Sequence, residues 1–515
     1  MSETRPAPAD RGFVSYAEAV LDALAQHPDR TALVSADGRR IRAAELREST
    51  HRLARELAAR GIGRGSTVAL LTGNTPEALL ARYAANLAGA RVVFLYDGMA
   101  PETLARIVAS VETELLLVDP TREQDAALLL PLVEVPAVAA LGPGRHGEDI
   151  LAAAHRQPST PFAVPVGPDD DWCIRHTGGT TGIPKGIQLA HGPYRNAMAA
   201  PDPDAGDPPR YLACTALAHL AGLFADLTLH HGGTVVLQPA FEPGEVLAAV
   251  ERERITDLWL LPPLLHQLLD HPAVSTTDLS ALRRITYGGS PASPARLRQA
   301  AEVFGPVLHG VYGQSEALAL TAVGPAEHAV TGRGGQVTVG RPLPGVEIAV
   351  RDEHGRTLPA GEEGEVHART RGAMRGYWKQ PELTAEVLRD GWVRTGDIGY
   401  LDQDGYLFLV DRRKDVIIVV GGHVYPSEVE ELLLAHPGVA QCAVFAVRDE
   451  DATEHVHAAV LPAPGHHPDL AELREFVTTR KGRIYAPDAV HLVPAIPLTS
   501  VGKPDKKELL RLLGR

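Results

Sequence analysis

Cysteine is scarce in this chain, and its three thiols, Cys173, Cys214 and Cys442, lie far apart without metal-ligand spacing. That pattern argues against a cysteine-held metal centre and reads as buried or free thiols in a reducing compartment. Positive charge is also short. The formal net charge of −14 argues against a surface built to grip nucleic acid. No apolar run approaches the roughly 18 residues of a membrane span, and no basic start leads into an apolar leader. The expected protein therefore has no membrane span and no nucleic-acid partner, and is cytoplasmic. A Walker phosphate loop is missing as well, because no Gly-Lys-Ser/Thr stands where it would be needed. What remains is ordinary for a soluble globular protein, at 44% hydrophobic and 22% charged residues. Its 515 residues call for two or more cores.

One stretch organises the rest: His176-Thr177-Gly178-Gly179-Thr180-Thr181-Gly182-Ile183-Pro184-Lys185-Gly186. Three glycines followed by a proline prevent a helix or strand from running through it. The run offers bare backbone N–H groups, threonine hydroxyls and the Lys185 ammonium, which are the donors a polyphosphate needs. The bland reading is a flexible surface loop rich in Gly and Thr, but paired threonines and a Pro-Lys-Gly stop are unusual in linkers.

Residues 1 to about 12 read as a loose tail. Leu46, Leu53 and Leu57 recur at helical spacing between Ala43 and Arg60, and Gly61 stops the helix. Thr67 to Leu71 reads as a strand, followed by a helix capped by Asn74 or Thr75 with Pro76 at its first position. Val92 to Leu95, Pro101 to Val111 and Glu114 to Val118 continue the strand–helix–strand rhythm of an α/β protein with a largely parallel sheet. Residues 140 to 168 read as a connector. Leu282 to Tyr287 runs into Gly288-Gly289-Ser290, a turn at a strand's carboxyl end, where open α/β sheets place ligands. From about 337 to 400 the pattern becomes short, alternating and β-rich, as in a barrel-like subdomain. The charged run Asp411-Arg412-Arg413-Lys414-Asp415 separates apolar strands at Tyr406 to Val410 and Val416 to Val420, reading either as a solvated turn or as an interdomain hinge. After Gly421-Gly422, Pro426 opens a helix, and about 100 residues suffice for a small α/β domain.

Taken in order, these motifs resemble those of the adenylate-forming superfamily, which includes acyl- and aryl-CoA synthetases. The likeness runs from about residue 15 to 512. The loop at 177–186 is similar to that family's Thr/Ser-Gly-rich phosphate loop, with Gly178 standing where Ser or Thr is frequent. Thr177, Gly178, Gly179, Thr180, Thr181 and Gly182 are thereby implied to hold ATP, with Lys185 catalytic. Tyr312-Gly313-Gln314-Ser315-Glu316 resembles the family's Tyr-Gly-x-Thr-Glu. The likeness implies Tyr312 near the adenine, Ser315 at the α-phosphate, and Glu316, with Thr180, holding Mg²⁺. Gly288, Gly289 and Ser290 would line the adenine. Thr395-Gly396-Asp397 and Arg412 look like the ribose contacts. His219 resembles the histidine that gates the acid pocket, for which Leu223, Phe224, Gly288, Gly310 and Leu318 are further candidates. Lys414 looks like the hinge pivot, Gly421 and Gly422 like the glycines beside the thiol channel, and Lys503 like the catalytic lysine.

The resemblance implies a large N-terminal domain over 13–411 of parallel α/β sheets with the β-rich subdomain. A hinge at 412–415 and a small mobile α+β C-terminal domain over 416–515 follow. It also implies ATP, Mg²⁺ and CoA, or a phosphopantetheine carrier protein, as the groups used. The expected reaction joins a medium, branched or aromatic carboxylic acid to AMP, then transfers the acyl group to the CoA thiol. Alternatives sharing these motifs are a stand-alone enzyme loading a carrier protein, and a diazotase that adenylates nitrite for an aromatic amine.

Overall fold

The Asn74-Thr75-Pro76 start behaves as its residue types dictate. The Thr75 hydroxyl accepts from Ala78 N at 3.2 Å, and Pro76 sits in the first turn of the Pro76–Leu87 helix, where no N–H is missed. The Thr67–Leu71 strand is buried at every position, as a strand covered on both faces must be. In the computed structural model the described residues are 12–177, 185–198, 206–412, 417–419, 422–448, 454–499 and 502–514. They form two units. One takes the described residues of Met1–Glu242 with Glu253–Thr256 and Gly372–Leu383, and the other Pro243–Arg252, Asp257–Arg371 and Thr384–Arg515.

The first unit is built on an eight-stranded sheet. Its order is Gly376–Tyr377, Lys185–Ala190, Asp171–Thr177, Arg91–Phe94, Thr67–Leu71, Leu115–Val118, Ala137–Ala140 and Glu148–Asp149. Pairing is parallel except among the first three strands, which run antiparallel. The 140–168 region is more than a connector: Asp149 ends a short strand and its carboxylate accepts from Leu151 N and Ala152 N, starting the Ile150–Ala154 helix. A further parallel set joins Arg210–Ala213, Thr234–Leu237 and Thr31–Val34. At the centre of this unit Arg82 and Asp226 form an ion pair at 2.5 Å with side chains 3% and 0% exposed. Tyr83 and Tyr194 donate to the same carboxylate at 2.6 and 2.7 Å, and the guanidinium lies 5.1 Å from the Trp172 ring centroid.

In the second unit Asp257–Leu260, Arg284–Gly288 and Leu308–Gln314 run parallel, and Leu318–Val323 and Arg341–Pro342 continue antiparallel. Val346–Arg351, Gly364–Thr370, Trp392–Leu401 and Leu407–Arg412 form the antiparallel β-rich region. Its last strand runs further than the sequence suggested. Asp411 and Arg412 pair with Ile398 and Asp397 rather than entering a turn, because strand pairing is made by backbone groups, which charged residues carry as apolar ones do. The terminal part has its own apolar cluster, in which Val429 and Leu433 of the Pro426–Leu434 helix meet Val444, Val456 and Val460 of the Val439–Arg448 and Glu454–Pro462 strands. Among the described residues no helix is long and apolar enough to cross a membrane.

Candidate active site

In the first unit the Asp171–Thr177 and Lys185–Ala190 strands form an antiparallel ladder that closes with Thr177 opposite Lys185 and His176 opposite Gly186. The ladder brings the two ends of the 178–184 segment together. Gly178, Gly179, Thr180, Thr181 and Gly182 themselves lie outside the described residues, as does the Thr180 half of the expected metal set. Lys185 stands at the ladder's end with its ammonium 5.3 Å from the Tyr377 ring centroid. His176 is buried with Nδ1 unpartnered among the described residues, and burial holds its pKa down to about 4.

His219 occupies the N-cap position of the Leu220–His230 helix. Its ring stacks on Tyr96, with centroids 4.1 Å apart and planes 16° apart. Tyr96 is buried, and its hydroxyl has no hydrogen-bond partner among the described residues. Desolvation raises the phenol's pKa. No motif in the sequence singles out Tyr96, although its place just past the Arg91–Phe94 strand is where α/β sheets present functional groups. Leu223 and Phe224 follow on the helix and are half-buried.

The second unit gathers most of the other candidates at one sheet edge. The parallel strands Arg284–Gly288 and Leu308–Gln314 both end there. Gly289 has φ +82°, a left-handed conformation that favours glycine. Gly313 allows a close crossing, since a β-carbon there would stand 2.1 Å from the Leu318 carbonyl oxygen. Leu318 itself holds a left-handed φ of +56°, a strain of the kind found at functional turns. Ser315 and Glu316, in the turn between Leu308–Gln314 and Leu318–Val323, are half-buried. Tyr312 donates to Asp397 Oδ2 at 2.7 Å, and both residues are buried. Within the Trp392–Leu401 strand the Thr395 hydroxyl accepts from Asp397 N at 3.1 Å and donates to the Val366 carbonyl at 2.7 Å. Arg412 sits opposite Asp397 in the ladder. Ser290 Oγ and Gln314 Nε2 are buried without a hydrogen-bond partner among the described residues. Buried polar atoms of this kind call for a partner, which an ordered water or a polar ligand can supply.

Lys503 lies beside this edge. Its turn is closed by Thr499 N to Lys503 O at 2.7 Å and Gly502 N to Thr499 O at 2.8 Å. Leu261 stands between it and the glycine turn, because β-carbons at Gly502 and Gly289 would lie 3.3 and 3.8 Å from the same leucine side chain. Gly310 does not share a face with Gly288. It pairs with Tyr287 and a β-carbon on it would meet the Tyr287 phenol at 2.9 Å, whereas Gly288 faces Val311. Alternation along a strand therefore makes Val311, not Gly310, the neighbour of the Gly288 face. Lys414 and Gly421 lie outside the described residues, and Gly422 is described only as backbone in the short Gly422–Val424 strand. Among the described residues no cluster of three or more His, Cys, Asp or Glu could cage a metal. One carboxylate, that of Glu316, fits Mg²⁺, which takes one or two carboxylates and fills its remaining positions with phosphate oxygens and water. A cavity of about 460 Å³ bounded by Arg333, Tyr400, Asp402 and Phe408 holds none of the predicted site residues.

Residues 20–378 match the AMP-binding enzyme family, and residues 428–503 match the AMP-binding enzyme C-terminal domain. A medium/long-chain fatty-acid–CoA ligase of Mycobacterium tuberculosis is 34% identical over 507 residues, covering 95% of this chain and 88% of that protein. A feruloyl-CoA synthase of an Amycolatopsis species is 36% identical over 477 residues, covering 92% and 94%. Among solved structures, the amide bond synthetase McbA of Marinactinospora thermotolerans is 41% identical, with a TM-score of 0.87 and 96% and 99% of the two chains covered.

Proposed function

The chain belongs to the AMP-binding enzyme family, and on that premise we propose that it activates an aliphatic or aryl carboxylic acid as its acyl adenylate and passes the acyl group to the thiol of CoA. It is an AMP-forming ligase that uses ATP to activate an acid. The observation that most favours the proposed nucleotide site is the pair of orphaned polar atoms, Ser290 Oγ and Gln314 Nε2. Both sit at the ends of adjacent parallel strands, beside the Tyr312–Asp397 hydrogen bond. We assign residues 13–411 to the adenylating domain and 416–515 to a mobile domain turning at 412–415.

The roles follow from the chemistry of each group. An acid carboxylate is a poor electrophile, and bonding it to AMP supplies a good leaving group. The substrate carboxylate oxygen attacks the α-phosphorus, and the bond to pyrophosphate breaks. Charge then collects on phosphoryl oxygens, where fixed cations and donors lower the barrier. In this chain Lys185 serves the outgoing phosphates and Lys503 the α-phosphate and the incoming carboxylate. Ser315 donates to the α-phosphate, and Asp397 accepts from the ribose hydroxyls with its orientation held by Tyr312. Arg412 adds a ribose contact. Glu316 would hold Mg²⁺, which would supply positive charge to offset that of the phosphates. His219 and its Tyr96 stack border the acid pocket. In the second half-reaction the thiol sulfur attacks the acyl carbonyl and AMP leaves. Rotation at Lys414 withdraws Lys503 and brings Gly421 and Gly422 beside the thiol. Use of ATP supports a cytoplasmic reaction.

A second reading exchanges the thiol for an amine, so that an amide is the product. The 41% identity to an amide bond synthetase across 96% of the chain favours it. The test is acid-dependent ATP–pyrophosphate exchange over aliphatic, aryl and cinnamic-type acids, followed by CoA or an amine. Exchange with a thioester formed on adding CoA supports the first reading. Exchange with an amide but no thioester supports the second, and exchange with neither product points to a carrier protein. AMP release with nitrite and an aromatic amine, but with no carboxylate, would replace both with the diazotase. Lys503→Ala is expected to abolish exchange, and exchange at the wild-type rate would remove Lys503 from the mechanism.

A further inference from the structure

The 372–383 stretch belongs to the first unit and packs on the strand that carries Lys185. Gly376–Tyr377 adds an antiparallel edge strand to Lys185–Ala190, with Tyr377 opposite Ile187. Arg375 N bonds to Gln188 O at 3.0 Å and Trp378 N to Gly186 O at 2.7 Å, extending the ladder in both directions. The far side of this strap is anchored as well. Trp378 Nε1 donates to the Ser110 carbonyl at 3.0 Å, the Arg91 guanidinium lies 4.4 Å from the Trp378 ring centroid, and Lys379 pairs with Glu112 at 2.6 Å. Packing is tight, because a β-carbon on Gly186 would stand 2.9 Å from Ile174 Cγ2 and 3.3 Å from Trp378 Cβ. Tyr377 is thus fixed from the backbone outward and is 4% exposed. The Lys185 ammonium lies 5.3 Å from its ring centroid.

A lysine ends in a point charge on a flexible stem, and confining it costs rotamer entropy. An aromatic face attracts the charge through its quadrupole without using up the ammonium's N–H donors. We propose that Tyr377 is a positioning residue for the nucleotide, its ring a shelf that holds Lys185 at the foot of the 178–184 segment before ATP arrives. The proposal rests on the reading of Lys185 as a phosphate contact. The attraction is weak beside that of a phosphate, so the shelf lowers the cost of binding without competing with the ligand.

The test is equilibrium binding of MgATP, which needs no acid substrate, to the full chain and to Tyr377→Phe, Tyr377→Leu, Lys185→Ala and the Lys185→Ala/Tyr377→Leu double variant. Tyr377→Leu is expected to raise Kd about three- to tenfold. Tyr377→Phe, which keeps the ring, should stay within about twofold. On the Lys185→Ala background Tyr377→Leu should change nothing further. Equal weakening by Phe and Leu, or the same loss from Leu on both backgrounds, would overturn the shelf, since a merely structural tyrosine acts regardless of Lys185. A wild-type Kd in Lys185→Ala would overturn both the lysine's role and the shelf, while persisting acid-dependent exchange would leave the acid-activation reading intact. Should Tyr377→Leu fail to fold, Tyr377→Met makes the same comparison.

Discussion

Replacing Arg82 by methionine is the substitution whose consequence the structure defines best. The guanidinium is 3% exposed and its partner Asp226 wholly buried, 2.5 Å away. Methionine fills much of the arginine stem's volume, so the main loss is the charge. Asp226 would keep its donors Tyr83 and Tyr194 but lose the only cation paired with it among the described residues. Breaking such a buried pair costs about 3–5 kcal/mol. In a unit of this size that lowers the melting midpoint by roughly 6–20 °C. Arg82→Met/Asp226→Asn restores neutrality and leaves an amide oxygen for the two tyrosines, so it should recover a large part of the loss. Thermal and urea unfolding followed by circular dichroism would read both, taking the first transition as that of the affected unit because two cores need not melt together. Asp226 rides on the Leu220–His230 helix that begins beside His219, so the KM for the acid should rise in the single variant at temperatures where it is still folded. A midpoint within about 3 °C of wild type for Arg82→Met, or a double variant no better than the single one, would refute the reasoning.

Tyr312→Phe removes a hydrogen bond to a buried carboxylate, an interaction of about 1.5–3 kcal/mol, and should raise the KM for ATP in the exchange assay by about tenfold or more; an unchanged KM would separate Asp397 from the nucleotide. Gly222→Ala places a β-carbon 2.2 Å from the Leu217 carbonyl oxygen and 2.6 Å from Arg82 Nη1, so a loss of about 1–3 kcal/mol by unfolding is expected. Burial depresses His176 and His191 to about 4 and His266 to about 3. The unfolded chain protonates them near 6.5 while the folded chain does not, so stability rises with pH between about 4 and 6.5 and is lost as pH falls through that window. His266→Gln should reduce that slope by about 1.4 kcal/mol per pH unit between about pH 6 and 5, measured by urea titration at each pH; an undiminished slope would show that His266 titrates freely.

Local signals were legible wherever one residue type has one physical use. The Pro76 helix start, the Thr67–Leu71 strand and the glycine turn after Arg284–Gly288 all follow from capping, double-sided burial and the left-handed φ of Gly289. Motifs made of consecutive residues are equally visible, so Tyr312 to Glu316 and Thr395 to Asp397 stand out in the sequence alone. Asp411 and Arg412 were harder to place, since charge density resembles a loop and only the ladder to Ile398 and Asp397 extends the strand.

By itself the sequence determined the class of fold, the order of its motifs and the chemistry they can perform, because each depends on residue type and short-range spacing. Tertiary structure alone decided which residues meet across long separations. Tyr96 is 123 residues from the histidine it stacks on, Tyr377 is 192 from the lysine it faces, and Arg82 is 144 from Asp226. It also put Gly310 and Gly288 on opposite faces of adjacent strands, where register rather than composition sets direction. No local pattern encodes such pairings, because they arise from sheet order and from the burial of whole elements against one another.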